Sequence, residues 1–85
     1  MIANLLVDMP KAYVLINCDS GAESVVIDSI KLIENVTSCN VVYGVYDIII
    51  EIKYETMRQL QDLIQNKLRK VNKIRTTLTL IPFDF

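Results

Sequence analysis

The chain has 85 residues, of which 52% are hydrophobic and 22% are charged, and its formal net charge is −1. A chain of this size and composition forms one domain, is too apolar to be disordered, and buries a modest fraction of its surface, so association with further chains is expected. The nearly balanced charge disfavours nonspecific binding of a polyanion such as DNA. No apolar run approaches the roughly 20 residues of a membrane span, and the first residues lack the basic region of a signal peptide, so we expect a cytoplasmic protein without a membrane partner.

The side chains that most often perform catalysis or bind metals are scarce. Histidine is absent, and the thiols are those of Cys18 and Cys39. Neither a zinc cage nor a thiol–imidazole pair can be assembled from this set within one chain. We therefore predict no metal site, no cofactor and no catalytic residues, and we interpret both cysteines as small buried apolar residues.

The first predicted strand covers residues 12–18, a compact apolar run that ends at a polar turn. It follows an N-terminal arm, residues 1–11, to which no element is assigned. Ser20 and Glu23 have the spacing of a capping box. The apolar positions after them recur every three or four residues, which predicts a helix over residues 21–34.

A β-hairpin is predicted in the middle of the chain. Two runs of β-branched and aromatic residues predict strands over 36–43 and 48–53, joined by a turn at 44–47. Gly44 is the residue in this window that adopts positive φ without steric cost. The turn presents backbone amides, a phenol and a carboxylate on a rigid support, where a small ligand can meet them. The alternative interpretation is a hairpin with no ligand.

The second predicted helix begins at Thr56, which forms a capping box with Gln59, and its apolar positions continue at helical spacing through residue 71. Its last turn carries three basic side chains, those of Lys67, Arg69 and Lys70. We interpret them first as complements of the helix dipole and second as a patch for a polyanion.

The fourth predicted strand covers the alternating residues 75–81 and ends at Pro82. The folded domain is therefore expected to span residues 12–82, with a short C-terminal tail at 83–85.

The predicted order is β-α-β-β-α-β, which is the ferredoxin-like unit of the α+β class. It has a four-stranded antiparallel sheet with strands one and three at the centre and both helices on one face. This order places Cys18 and Cys39 on strands separated by a third one, about 10 Å apart and too far for a disulfide.

Alternation along the strands predicts which side chains lie on each face of the sheet. The predicted helix-facing set is Val14, Ile16, Ile48, Ile50, Ile52, Leu78 and Leu80. The opposite set is Tyr13, Leu15, Asn17, Ile49, Glu51, Thr77, Thr79 and Ile81. Half of the opposite set is apolar, so we predict that two sheets stack across a twofold axis in a homodimer. The predicted dimer-interface residues are Tyr13, Leu15, Ile49 and Ile81.

Several landmarks occur together in a characteristic order. They are the strand 12–18 closing on Asp19-Ser20-Gly21, Val36 at the start of strand two, the sequence Gly44-Val45-Tyr46-Asp47 at the hairpin, Leu68-Arg69-Lys70-Val71 at the exit of helix two, and a Thr-rich last strand. In this order and spacing the chain resembles the effector-binding domain of the Lrp/AsnC family of transcriptional regulators over about residues 12–81.

The sequence departs from the family pattern in three places. Lys70 stands where members often have a glycine, and Ile74-Arg75-Thr76 keeps the second threonine of a Thr-x-Thr pair. Full regulators carry an N-terminal helix-turn-helix domain, and the arm before strand one is too short to hold one. The resemblance therefore implies a stand-alone effector domain, either a natural version without a DNA-binding domain or a fragment, that does not contact nucleic acid directly.

The resemblance also implies a function and a site. Members dimerise through their sheets, form higher even oligomers, and bind free amino acids between dimers. The implied role is a non-enzymatic amino-acid sensor that modulates transcription regulators of the Lrp/AsnC type by co-assembly, with a full-length regulator as a partner. The ligand-binding residues implied by position are Gly44, Tyr46, Asp47, Thr76, Thr77 and Thr79. Turn amides suit an α-carboxylate, and Asp47 suits an α-ammonium group.

Other functions remain open at this point. An ACT-like regulatory amino-acid-binding module shares the strand order. A small dimeric α+β barrel enzyme is a further alternative, but such enzymes rely on polar groups between sheet and helices, where this sequence is aliphatic. An RNA-binding module is less favoured, because the central strands lack an aromatic pair for stacking bases. For the threonines and Asp47 the competing roles are strand propensity and turn formation.

Overall fold

The computed structural model describes residues 9–83 and confirms the order β-α-β-β-α-β. The strands are β1 (Lys11–Cys18), β2 (Val36–Val41), β3 (Ile48–Lys53) and β4 (Ile74–Leu80); the helices are α1 (Glu23–Ile30) and α2 (Met57–Asn66), and a 3₁₀ turn covers Leu68–Lys70. Most of the predicted N-terminal arm and the end of the predicted C-terminal tail lie outside the described residues. Within 9–83 no helix has the length and apolar character that crossing a membrane requires.

The four strands form one antiparallel sheet in the order β2-β3-β1-β4, so the predicted central and edge strands are confirmed. One face of β1 and β3 packs with the helices into a single apolar core. Its fully buried large side chains are Ile16, Ile30, Ile48, Ile50, Ile52, Leu60, Leu68, Val14 and Val26. Because both helices lie on this face, the other face of the sheet is left without a covering layer, and we call it the open face.

The predicted orientation of β4 is wrong. In the β1–β4 pairing Leu80 lies opposite Tyr13, and Leu78 lies opposite Leu15. Directly paired residues share a face, so both leucines lie on the open face. Thr77 is paired with buried Ile16 and therefore lies on the helix side. The reason is that β4 is an edge strand, where the helices cover the sheet incompletely and the inward positions offer little apolar burial.

The first helix is shorter than predicted, and its predicted capping box does not form. The N-cap residue is Ala22, which makes no side-chain capping bond, and Ala22 N–H donates to Asp19 O at 3.0 Å across a turn in which Gly21 has φ of 80°. After Ile30 the chain tightens into bonds between residues three apart. Asn35, at φ of 76°, then leads into β2, and its side chain donates to Lys53 O at 2.8 Å.

The start of the second helix is confirmed, and its end differs from the prediction. Thr56 Oγ1 accepts from Gln59 N–H at 3.1 Å, while Gln59 Oε1 accepts from Glu55 N–H at 2.6 Å. The α-helix stops at Asn66 and has no basic residue in its last turn, so the three basic side chains do not cap it as predicted. Lys67 immediately precedes the 3₁₀ turn that follows, and Arg69 and Lys70 lie within it.

The connection from the 3₁₀ turn to β4 contains a residue in a glycine-like conformation. Lys73 has φ of 74°, whereas Lys70, which was matched to the family glycine, lies inside the 3₁₀ turn. The left-handed region costs energy for a residue with a Cβ atom. The position that suits glycine is therefore three residues later than the sequence suggested.

Candidate functional site at the hairpin end of the sheet

The β2–β3 connection is longer than the predicted turn, because β2 ends at Val41 rather than at residue 43. It covers residues 42–47. Val42 N–H donates to Asp47 O at 2.9 Å, and Asp47 N–H donates to Ile16 O at 2.9 Å. These two bonds close the loop and attach it to the end of β1. Gly44 lies at its tip with φ of 130°, and a Cβ atom added there would meet open space.

The carboxylate of Asp47 has a structural partner. Its Oδ2 atom accepts from the backbone N–H of Cys18 at 3.0 Å, where the β1 ladder becomes irregular. The side chain thus supplies an acceptor to an N–H group at the end of a strand. Among the described residues Oδ1 has no hydrogen-bond partner, so the half-buried carboxylate keeps one oxygen for a further donor.

The tip of the loop offers both backbone donors and apolar surface. In the part of the chain that the structure describes, the N–H groups of residues 43–46 donate to no protein acceptor. Tyr43 and Val45 are fully or largely exposed, with Val45 at 84%. Neither side chain packs on the core, so the fold does not require an apolar tip. The loop therefore presents donors, a carboxylate and two apolar side chains to a ligand or a partner.

Thr76 is at the same end of the sheet as the loop. It is paired with Asn17, whose Nδ2 donates to Thr76 Oγ1 at 3.2 Å. Asp47 and Thr76 thus flank the end of β1 on opposite sides. Two strand spacings separate their backbones by about 10 Å, so their side chains do not converge directly within one chain.

The other two predicted threonines lie on the opposite face of β4. Thr77 and Thr79 line a groove of about 310 Å³ between β4 and α2, together with Ile81. The structure therefore does not bring the six predicted ligand-binding residues together in one chain. It places Gly44, Tyr46, Asp47 and Thr76 at the hairpin end and Thr77 and Thr79 on the helix side.

Two arginines that the sequence did not assign to a site lie next to these threonines. Arg69 and Arg75 line a second cavity, of about 210 Å³, with Thr76 and Thr77. Arg69 was interpreted as a helix cap, and Arg75 as an ordinary strand residue. The sequence signal for this cavity was the high density of basic residues between helix two and strand four.

The open face carries the apolar side chains expected of an interface, although the members differ from the prediction. Tyr13, Leu15 and Ile49 are half-buried, and they are joined by Leu78 and Leu80, which are 43% and 48% exposed. Ile81 instead lies beside α2. The open face is thus more apolar than expected, and its role in a dimer stays a prediction.

One carboxylate stands within this apolar face. Glu51 accepts from Tyr13 OH at 3.3 Å and from the hydroxyl of Thr37, and it forms an ion pair with Lys11 at 3.7 Å. The hydrogen bond from Thr37, followed by the charge of Lys11, outweighs partial burial and lowers the pKa of Glu51 below its ordinary value of 4.5. The side chain therefore stays ionised on a largely apolar surface.

The surroundings of both cysteines disfavour their thiolate forms. Both thiols are free, and Cys18 is buried while Cys39 is half-buried. Burial raises the pKa of Cys18, and the nearby charge of Asp47 raises it further. Burial also raises the pKa of Cys39 against the opposing effect of Lys31. Within residues 9–83 no three potential metal-binding side chains lie together.

Comparison with known proteins agrees with this geometry. The profile of the Lrp/AsnC ligand binding domain matches residues 11–84. The crystal structure of FFRP-DM1 shares 32% identity, with a TM-score of 0.83, and the match covers 88% of this chain and 100% of that one. No protein of curated function matches the sequence.

Two longer proteins share the fold. AsnC of E. coli is 20% identical with a TM-score of 0.87, and the match covers 100% of this chain and 58% of that one. The transcriptional regulator NMB0573 of Neisseria meningitidis, solved as a complex with L-Met, is 13% identical with a TM-score of 0.84, over 99% of this chain and 56% of that one. The chain thus spans little more than half of the length of each of these two proteins. The profile match and the 32% identity to FFRP-DM1 show that this chain belongs to the Lrp/AsnC family. The part of the family that it matches is the ligand-binding domain.

Proposed function

We propose that the protein is a non-enzymatic sensor of a free amino acid that acts by assembling with itself and with regulators of its family. Membership of the Lrp/AsnC ligand-binding domain supports a regulatory sensing role. The proposal rests further on the loop 42–47. Among residues 9–83, its backbone donors have no protein acceptor, and one oxygen of the adjacent Asp47 carboxylate has no donor.

These groups match the charges of a zwitterion. The N–H groups of residues 43–46 suit an α-carboxylate, since consecutive turn amides form a concave anion site. Asp47 Oδ1 suits an α-ammonium group, which makes charge-assisted hydrogen bonds to carboxylates. A bound L-Met is present in the Neisseria regulator, whose fold this chain shares. We expect the amino acid of this protein to be held at the loop by its α-carboxylate and α-ammonium groups.

The site is completed between subunits. Asp47 and Thr76 flank β1 at about 10 Å, a gap wider than the α-groups of one amino acid, and Thr77 and Thr79 face the helix side of the sheet. A ligand at the loop of one chain therefore meets threonines of the last strand only when a neighbouring chain supplies them. The exposed Tyr43 and Val45 give the loop an apolar contact surface for that neighbour.

Such a location links occupancy to assembly. A ligand that binds only the associated form stabilises that form by mass action. Dimers form through the open face, and their further association places the loops at the new contacts. Regulators of the same family present similar sheets, so co-assembly with one of them transmits the ligand signal.

Isothermal titration calorimetry against each proteinogenic amino acid, paired with light scattering, tests the proposal. One or a few amino acids are expected to release heat and to shift the mass distribution. Asp47→Asn keeps an oxygen that accepts from Cys18 N–H and removes the charge, so it is expected to weaken binding about tenfold or more while the fold persists. Asp28→Asn, on the exposed side of α1, is the matched control and is expected to bind normally. Absence of heat with every amino acid, or unchanged affinity in Asp47→Asn, contradicts the proposed site.

A further inference from the structure

The region between α2 and β4 contains two adjoining cavities that share lining residues. One is the polar cavity of about 210 Å³ around Arg69 and Arg75, which we call the arginine cavity. The other is the groove of about 310 Å³ along α2, which we call the apolar groove. Arg69 and Thr77 line both, so the two spaces meet at these side chains.

A β-bulge sets the position of Arg75. On β1 the neighbours Asn17 and Cys18 are opposite Thr76 and Ile74, so Arg75 is the extra residue that has no partner on β1. Bulges redirect side chains and are frequent beside binding sites. Ile74 packs on the core and Thr76 bonds Asn17. The bulge thus lets β4 keep both contacts while Arg75 lines the arginine cavity.

The positive charge of this region is not neutralised by the described protein. Five of the nine residues at 67–75 are basic, and none is acidic. Among residues 9–83 the ion pair that forms is Lys11–Glu51, on a different part of the sheet, so neither Arg69 nor Arg75 has an acidic partner there. Two guanidinium groups, which only donate hydrogen bonds, line this cavity together with Thr76 and Thr77, and no carboxylate is among the lining residues. Such a set suits the oxygens of a carboxylate or phosphate, which arginine binds in bidentate geometry.

The apolar groove continues from this charged end along α2. Its apolar lining comes from Met57, Leu60, Ile64 and Ile81. Binding pockets for small molecules typically measure about 300–1,000 Å³ and combine apolar walls with a few placed polar groups. The groove lies at the lower end of that range, which indicates a small ligand.

We propose that this region is a second ligand site, which binds an amphipathic oxyanion: a carboxylate or phosphate head group in the arginine cavity and an aliphatic body in the apolar groove. The head group pairs with Arg69 and Arg75 and accepts from the hydroxyl of Thr77. The aliphatic body lies against Ile64 and Leu60. The site shares threonines of β4 with the proposed amino-acid site but uses neither the loop 42–47 nor Asp47, so the Asp47→Asn variant distinguishes the two proposals.

Titrations followed by nuclear magnetic resonance of the full-length, isotope-labelled chain test this site. The probes are octanoate, octyl phosphate, octanol and inorganic phosphate. Octanoate and octyl phosphate are expected to shift the amide signals of Thr77 and Ile64, and both are expected to bind at least about tenfold more tightly than either octanol or inorganic phosphate, because each of those lacks one half of the ligand. Which of the two binds more tightly identifies the head group.

Variants separate specific binding from general attraction to a basic surface. Arg69→Gln and Arg75→Gln are each expected to weaken the binding of octanoate at least about tenfold, since each removes charge-assisted hydrogen bonds. Arg58→Gln removes the same charge from an exposed position of α2 outside both cavities, and it is expected to leave affinity unchanged. The proposal is overturned if octanol binds as tightly as octanoate, if Arg58→Gln weakens binding equally, or if the shifted signals map to the open face around Leu15 and Leu78.

Discussion

Asp47 shows how one side chain combines a structural and a binding role. Its Oδ2 atom satisfies Cys18 N–H, while Oδ1 faces no donor among the described residues. The sequence indicated two possible roles for this residue, ligand binding and local turn formation, and neither involves β1. The bond to β1 changes that expectation, because a half-buried N–H group left without an acceptor costs free energy.

Replacing Asp47 is therefore expected to affect folding as well as binding. Asp47→Ala should lower the free energy of unfolding by about 1–2 kcal/mol, since Cys18 N–H loses its acceptor. Asp47→Asn should lower it by less, because an amide oxygen still accepts. Urea unfolding at one fixed protein concentration measures both. Asp28→Ala is the control for loss of a carboxylate; equal stabilities of Asp47→Ala and Asp47→Asn would show that the bond to Cys18 contributes nothing.

At the scale of secondary structure, the two predicted capping boxes had different outcomes. Thr56 caps α2 as predicted, whereas Ser20 caps nothing, because the turn at Gly21 delays the helix until Glu23. The capping motif therefore forms where the residue before the helix is extended. It does not form where a tight turn precedes the helix. The N-cap Thr56 has extended backbone angles, while Ala22 does not.

This contrast predicts unequal effects of two similar substitutions. Thr56→Ala is expected to lower the free energy of unfolding by about 1 kcal/mol, the usual cost of losing a helix cap. Ser20→Ala is expected to change it by no more than about 0.5 kcal/mol, as for an exposed residue without a partner. Chemical unfolding of the two variants side by side decides the point. A loss in Ser20→Ala as large as that in Thr56→Ala would contradict the cap assignment.

The interactions of Glu51 connect three strands. Lys11 and Tyr13 belong to β1, Thr37 belongs to β2, and Glu51 itself belongs to β3. Because the folded protein lowers the pKa of Glu51, protons bind it less readily in the folded state than in the unfolded state. Its contribution to stability is therefore fully present above its ordinary value of 4.5 and is lost as the pH falls through the folded pKa.

The test compares wild type with Glu51→Gln across pH. The stability difference between them is expected to be larger at about pH 7 than at about pH 3, because the other carboxyl groups titrate alike in both proteins. Protein concentration is held constant, since association also affects apparent stability. A difference that does not change with pH would show that the ionised form of Glu51 gains nothing from its neighbours.

At the scale of the whole molecule, the open face determines how copies meet. It combines Tyr13, Leu15 and Ile49 with Leu78 and Leu80, and a small domain has few other surfaces to bury. An apolar sheet face of this kind favours stacking on a second sheet. We expect a homodimer at micromolar concentration and larger even oligomers when the hairpin loops also meet.

Substitution of Leu78 tests the corrected face of β4. Leu78→Glu is expected to shift the protein towards monomer, because association would bury an unpaired charge. Val25→Glu also replaces an aliphatic side chain by a carboxylate, at a 54% exposed position of α1. It is the control and should leave the mass unchanged. Sedimentation velocity reports the mass of each. A Leu78→Glu protein that sediments like wild type would show that this face is not the interface.

The order of elements and most of their positions were determined by the sequence alone. Periodicity placed β3 at Ile48–Lys53 and the start of α2 at the Thr56 cap, because strand alternation and capping are local properties. Joint landmarks also identified the family, which the profile match bears out.

The tertiary structure decided which face of β4 points inward and which partners the site residues take. Alternation divides the residues of a strand between two faces, but it does not tell which face the helices cover. Both faces of β4 carry residues suited to partial burial. The bulge at Arg75 and the pairing with β1 assign Leu78 to the open face and Thr77 to the helix side. The hydrogen bond that Asp47 accepts from Cys18 N–H likewise depends on the tertiary structure. The two residues are distant in sequence and become adjacent only after the sheet forms.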